Sequence, residues 1–351
     1  MTQELQNKIE EVIRRHPQAD DREMLFHFKQ LLYEAETQYP LKESKGITDL
    51  VDGNVSQIMG EAAQNAMIKT GFDDLDRAIG GFGVSEFVVI GGRPSMGKTQ
   101  FLVNLSLHIS TTVPVLYISL DLSEFLLTNR FVSAVSNIPG HTLLERNLSE
   151  EQKSRLSALS SEFSKRQLFI HDSDSSISAL KAHCKREIQQ KGIAVIMVDY
   201  LQLMSAHQYR QRYTRDLEVG FICRELKRMA KEHNVCVIVS SQLNRSVENR
   251  CGPRIPQLSD LRESGAIEQD ADKVVFIHRP EYYGITIDEE GNSLLNMAEI
   301  FVAKNRNGRL CRFYLSVDKD FTNFRNLNPK KDFAFSPNRL MELEVEDLPP
   351  F

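Results

Sequence analysis

At 351 residues, 41% hydrophobic and 26% charged, the chain has the composition of an ordinary globular protein of one large or two modest domains at ~150 residues each, which excludes collagenous, coiled-coil and wholly disordered classes. No apolar run reaches the ~18 residues a membrane helix needs, and the charged, amphipathic start MTQELQNKIEEVIRRHP is unlike a signal peptide, so no membrane partner and a cytoplasmic location are expected. Net charge is −5, of which residues 1–70 carry 8 Lys+Arg against 12 Asp+Glu, so bulk charge gives no sign of nucleic acid and any such binding must come from local patches.

In chain order, residues 3–16 and 21–38 read as two helices, with Leu5, Ile9 and Ile13 and then Leu25, Phe28, Leu32 and Ala35 each on one face. A third helical pattern over 54–67 (Val55, Ile58, Met59, Ala62, Ala66) reads as a linker. From Glu86 the pattern becomes short β-branched runs: Phe87–Ile90, Val115–Leu120, Leu168–Ile170, Ile193–Val198, Val235–Ser240, Val274–Ile277 and Glu299–Ala303. Amphipathic stretches alternate with them, among them 150–165, opened by the capping box Ser149 and Gln152, then 177–190 and 216–233. Such alternation implies a mostly parallel sheet covered on both faces. Five scattered cysteines (Cys184, Cys223, Cys236, Cys251, Cys311) without a CxxC pair read as free thiols. After about Phe324 the periodicity fades, and a flexible acidic tail is expected over 329–351.

The strongest motif is Gly92-Arg93-Pro94-Ser95-Met96-Gly97-Lys98-Thr99, a complete G-x-x-x-x-G-K-[ST] between an apolar strand and a helix. Backbone N–H groups of such a loop cradle the β-phosphate, Lys98 would reach β and γ oxygens, and Thr99 would ligate Mg²⁺. A Walker-B carboxylate belongs at the end of an apolar strand, and Ile196-Met197-Val198-Asp199 supplies it 101 residues after Lys98. ATP and Mg²⁺ are therefore the expected cofactors, with Thr99 and Asp199 at the metal. Asp121 and Gln242 end two further strands at the same edge, where a carboxylate can polarise water and a glutamine can sense the γ-phosphate. The alternatives are a helix N-cap for Asp121 and a surface amide for Gln242.

Together with TGFDDLD (70–76), VDYLQLM (198–204), SQLNRSVENR (241–250), LSDLRESGAIEQDAD (258–272), EYY (281–283) and AKNRNG (303–308), the loop resembles the ATPase domain of DnaB-type replicative DNA helicases over roughly 68–325. The resemblance implies an α/β, RecA-like three-layer fold with a mostly parallel central sheet over 68–328, preceded by a small helical N-terminal region and linker helix over 1–67. It implies a homo-oligomeric, hexameric ring that hydrolyses ATP and moves 5′→3′ on single-stranded DNA in replication. A slow-turnover, ATP-switched loader or scaffold is the alternative.

Residue by residue, the resemblance puts Lys304 and Arg306 in trans on the neighbouring subunit's nucleotide, and Arg262, Glu263 and Gly265 on single-stranded DNA. A second basic segment, Tyr209 to Arg215 with Arg210 and Arg212, is either a further DNA contact or a solvated loop. Two departures matter. The family usually has glutamate where this chain has Asp121, which leaves the water-polarising carboxylate between Asp121 and Glu124. The ~65 residues before the ATPase region are also too few for the family's collar, so primase binding by the usual surface is not expected. The tip Glu342 to Phe351, four carboxylates in its first six residues and then an apolar end, is similar to the tail of single-stranded-DNA-binding proteins, and implies docking of Phe351 on a replication partner.

Overall fold

The computed structural model describes residues 3–16, 20, 21, 23, 24, 26–28, 31, 47, 48, 51, 55, 67–172, 175–206, 214–250, 252–261, 265–327 and 341–342. Contacts divide the chain into two compact units, Met1–Gln64 and Asn65–Phe351. In the first, α1 (Gln3–Arg15) forms as the apolar spacing predicts, with Arg14 and Arg15 in the last turn where cations complement the carbonyl end of the helix. The described residues of the second predicted helix, 21, 23, 24, 26–28 and 31, are helical. Of the third, Val55 is helical and 56–66 lie outside the described residues, while Met67, expected to be helical, belongs to a strand.

That strand, β1 (Met67–Ile68), pairs antiparallel with β2 (Phe82–Gly83) around α2 (Asp73–Ile79). The large sheet follows: β3 (Phe87–Gly92), α3 (Lys98–Ile109), β4 (Val115–Ser119), α4 (Glu124–Ser136), α5 (Gly140–Glu145), α6 (Glu150–Phe163), β5 (Leu168–Asp172), α7 (Ile177–Lys191) and β6 (Val195–Asp199). Next come α8 (Arg215–His233), β7 (Cys236–Gln242), α9 (Gly265–Asp270), β8 (Lys273–His278), β9 (Met297–Asn305), β10 (Cys311–Val317), β11 (Phe324–Asn326) and β12 (Met341–Glu342). Strand order is β11-β10-β9-β8-β3-β7-β6-β4-β5, with β12 on β10. The six strands from β5 to β8 are parallel to their neighbours, and β9 to β12 add antiparallel. Within the tail expected to be flexible, Met341–Glu342 thus pair with the sheet, and 343–351, Phe351 included, lie outside the described residues.

Side chains alternate across a strand, so one buried strand feeds two cores. Val88 and Ile90 of β3 join Phe72, Phe101, Leu105, Leu127 and Phe131 under α2, α3 and α4. Phe87 and Val89 join Leu180, Cys184, Ile222 and Leu226 under α7 and α8. The result is the three-layer, mostly parallel α/β architecture expected. The Ser149 and Gln152 capping box opens α6 as read. Of the five cysteines, Cys184, Cys223, Cys236 and Cys311 are free and buried, and Cys251 lies outside the described residues.

One buried carboxylate sits on the antiparallel edge. Glu299 of β9 stands opposite Tyr314 of β10, whose hydroxyl donates to it at 3.2 Å, and Arg312 is 3.8 Å away. Burial pushes the carboxyl up from 4.5 to about 7 against the pull of Arg312 and Tyr314. A folded-state value above the unfolded one means that the protonated form is preferred in the fold. Its contribution is present below pH ~4.5 and is lost as pH rises through about 7. Glu299→Gln, which holds the neutral shape at all pH values, is therefore expected to raise stability by roughly 2–3 kcal/mol at pH 8 and to change it little at pH 4.5. Urea unfolding at the two pH values checks this, and an equal effect at both would contradict it.

Candidate nucleotide site

The parallel register brings three predicted residues, Gly92, Gln242 and Asp199, to one sheet edge. Gly92, the last residue of β3, pairs with Gln242, the last of β7, and Ser119 at the end of β4 pairs with Asp199 at the end of β6. Ligands of parallel sheets collect outside these carboxyl ends. The loop 92–99 leaves β3 there and enters α3 at Lys98. Gly97 takes φ +91°, and a Cβ would come within 2.9 Å of the Phe324 ring, so only glycine fits. Ser95 also has positive φ, 65°. Its carbonyl accepts from Arg279 at 3.2 Å, and that guanidinium lies 3.5 Å over Phe321. Arg279, the residue after β8, thus braces the loop, a role the sequence reading missed.

Lys98 donates from Nζ to the Arg93 carbonyl at 3.0 Å. Burial lowers its ammonium to about 8, with Asp199 pulling the other way and Arg93 adding to the drop. Asp199 is buried; its Oδ1 accepts from Ser240 and its Oδ2 from the Tyr117 hydroxyl at 3.1 Å. Burial first, then the charge of Asp199, drives the Tyr117 hydroxyl well above its ordinary range, so it remains a donor. Two neutral hydroxyls orient the carboxylate without cancelling its charge. Thr99 and Asp199 offer hard oxygens of the kind Mg²⁺ takes alongside nucleotide phosphates. Among the described residues no group of three or more His, Cys, Asp or Glu is placed to hold a metal.

Asp121 lies within a turn closed by Ser119, whose hydroxyl donates to the Leu122 carbonyl at 2.7 Å and accepts the Leu122 N–H at 3.1 Å. It is exposed and close enough to Tyr200 to help raise that phenol, behind the larger effect of burial. The N-cap of α4 is Ser123, not Asp121, so the capping alternative for Asp121 falls. Glu124 is the first residue of α4 and is also exposed. The Gln242 side chain is exposed, and its backbone is clamped by Gln202, which accepts its N–H at 3.1 Å and donates to its carbonyl at 3.1 Å. Gln202 lay inside the run VDYLQLM and was not singled out.

Two loop assignments need qualification in space. The Arg93 side chain, assigned to the nucleotide, instead donates to the Leu243 carbonyl at 2.7 Å and to Glu248. Lys304 and Arg306 stand at the opposite edge. Lys304 is in register with Val274, itself beside Val89, three residues or roughly 10 Å of strand before Gly92. Lys304 donates to the Glu268 and Gln269 carbonyls at the end of α9, and Arg306 to the Gln269 carbonyl at 2.6 Å and to Asp272 at 3.1 Å. The structure does not bring them to their own phosphate loop. Arg210, Arg212, Arg262 and Glu263 lie outside the described residues, and Gly265 opens α9.

Strand order, phosphate loop and strand-end carboxylate together define a RecA-like nucleotide-binding domain. The chain belongs to the DnaB-like helicase C terminal domain family, whose model matches residues 67–326. It is 37% identical over 287 residues to the replicative DNA helicase DnaC of Bacillus subtilis (strain 168), which covers 81% of this chain and 62% of that protein. It is likewise 37% identical over 299 residues to the replicative DNA helicase DnaB of Geobacillus stearothermophilus, covering 84% of this chain and 64% of that one. A solved DnaB-like replicative helicase, described with its interactions with primase, superposes with a TM-score of 0.74 at 28% identity over 93% of this chain and 76% of its own. The chain spans a little over three fifths of the length of these curated relatives. No helix of the described residues is long and apolar enough to cross a membrane.

The lowered Lys98 ammonium gives the site a pH signature. Below pH ~8 the amine is charged in the free protein; above it, a phosphate must first draw a proton onto it. Affinity for a fluorescent nucleoside triphosphate should thus weaken as pH rises from 7 to 9, and Lys98→Arg, charged throughout, should lose that dependence. A flat wild-type profile would contradict the assignment of Lys98 to the phosphates.

Proposed function

We propose that this chain is the motor of an ATP-dependent DNA helicase that moves on single-stranded DNA as a homohexameric ring in replication. The observation that carries the reading is the separation of charges along β3. Lys98, Thr99, Asp199 and Gln242 gather at one sheet edge, and Lys304 and Arg306 stand away from it, a placement that supports action on a second subunit's nucleotide. The replicative helicases it resembles support the helicase reading over that of a slow loader.

In this reading residues 68–328 are the motor, 1–67 a helical region with a linker, and 329–351 a tail. The loop 92–99 holds the phosphates of ATP, and Thr99 and Asp199 would hold Mg²⁺, which would supply positive charge against the phosphates. Asp121 or Glu124 polarises the attacking water, and Gln242 senses the γ-phosphate. Lys304 and Arg306 act in trans on the transferring phosphoryl group. Arg262, Glu263 and Gly265, with Arg210 and Arg212, follow the DNA backbone, and translocation runs 5′→3′. Phe351 docks the acidic tail on a replication partner.

Steady-state ATP turnover with and without oligo-dT, with a forked-duplex unwinding assay, tests the reading; a protein without DNA-stimulated turnover would overturn it. Lys98→Ala should abolish hydrolysis. Arg306→Ala should bind ATP normally and hydrolyse it slowly, and mixing it with Lys98→Ala should restore activity at hybrid interfaces. Exchanging mixtures with no restored activity would sink the trans assignment. Asp121→Asn is expected to lower turnover about 10²-fold. If it stays active while Glu124→Gln is dead, the water belongs to Glu124.

A further inference from the structure

We propose that Glu248 and Asp260 are positioning residues that tie the phosphate loop to the segment leading into the DNA-contacting stretch, so that nucleotide and DNA sense one another within one subunit. The inference rests on the helicase reading above.

The tie starts at the loop itself. Arg93 lies between Gly92 and the residues that cradle phosphate, yet its guanidinium turns away from them. Its side chain is 7% exposed, and a buried guanidinium persists only where its donors are matched. NH1 donates to the Leu243 carbonyl at 2.7 Å, while Nε and NH2 donate to Glu248 Oε1 at 3.1 and 2.5 Å. The Leu243 N–H also donates to the Gly92 carbonyl at 3.3 Å. One side chain therefore holds both ends of the turn that follows Gln242. Between those ends runs the 3₁₀ turn Arg245–Asn249, capped by Asn244 and anchored by buried Val247.

The far side of that turn is fastened as firmly. Arg250 pairs with both oxygens of Asp260, at 2.9 and 2.5 Å, and reaches the Ile255 carbonyl at 3.0 Å. The Asp260 side chain is 1% exposed and also accepts the Gln257 N–H at 2.7 Å. Its carbonyl takes the Asn244 N–H at 2.9 Å. A bidentate arginine pair of this kind fixes orientation as well as distance. Asp260 stands two residues before Arg262 in sequence. Hydrogen bonds thus lead from Gly92 and Arg93 to Leu243 and Glu248, and from Asn244 and Arg250, on either side of the 3₁₀ turn, to Asp260.

Its switch point is Lys98. In this structure Nζ donates to the Arg93 carbonyl at 3.0 Å. A γ-phosphate competes for that ammonium, and a lysine that leaves Arg93 frees the backbone of the residue that grips Glu248. Conversely, DNA drawing on the stretch after Asp260 loads the same contacts from the other end. Coupling of this kind requires a connected element that both ligands bias.

Glu248 makes the test clean because it lies outside the groups assigned to nucleotide, metal or DNA. Glu248→Ala, which removes the side-chain link from the 3₁₀ turn to Arg93, should keep basal ATP turnover and KM within about twofold of wild type and cut stimulation by oligo-dT at least fivefold. It should also abolish the difference in oligo-dT affinity between complexes with ADP and with a non-hydrolysable ATP analogue. Glu248→Gln, which still accepts from Arg93, should retain most of the stimulation, and Asp260→Asn should resemble Glu248→Ala. A Glu248→Ala protein stimulated as strongly as wild type overturns the proposal, as does one whose basal and stimulated rates fall by the same factor. Wild-type turnover indifferent to oligo-dT would instead overturn the helicase reading itself.

Discussion

Parallel pairing of β3 with β7 on one side and β8 on the other sets, through one register, where each charged group of the site stands. The strand is buried on both faces, so a slip of one residue would exchange Val88 and Ile90 with Phe87 and Val89 between two filled cores. That penalty locks the register, and the register sets Gly92 beside Gln242. The other end of β3 is held as tightly. Phe87 donates its N–H to Asp272 at 2.7 Å, and the same carboxylate accepts from Lys227 and from Arg306. A six-residue strand therefore carries the phosphate loop at one end and the anchor of Arg306 at the other.

Charge is treated differently at these places. Asp272, Asp260 and Arg93 face oppositely charged partners, the ordinary way of making buried charge tolerable. Asp199 is buried among neutral donors, Ser240 and Tyr117, which satisfy its geometry and leave its charge for a cation. Lys98 is in the mirror situation, with a carbonyl as its hydrogen-bond acceptor and its ammonium drawn down to about 8. Asp199 only partly offsets the burial of Lys98, so each group would gain from the opposite charge that a polyphosphate and its cation would bring.

Much of this was legible in the residues, and the limits are physical. Continuous apolar runs such as Phe87–Ile90 betray strands buried on both faces, and the phosphate loop carries its own spacing. Two elements were passed over although their signals are present. In β10, Cys311, Phe313, Leu315 and Val317 alternate with half-buried residues, and in α4, Leu127, Phe131 and Ala134 follow the Ser123 cap at helical spacing. What periodicity could not reveal is long-range: which way Arg93 turns, that Gln202 clamps Gln242, and that Tyr117 and Ser240 converge on Asp199. Those depend on strand order, which brings residues 82 and 41 positions apart onto one carboxylate.

Strand order also constrains assembly. Lys304 and Arg306 are held away from their own phosphate loop, so under the proposed trans role they would meet a different surface of a second copy. Such a head-to-tail contact is heterologous, and heterologous contacts either close into rings or continue as filaments. In the proposed reading the two cations would also have to yield their present acceptors, the Glu268 and Gln269 carbonyls at the end of α9. Those carbonyls are among the orphan groups every helix terminus must satisfy, so losing their cations costs α9 stability. In that reading α9, whose first residue Gly265 is itself assigned to DNA, would compete with a neighbour's nucleotide for the same two cations.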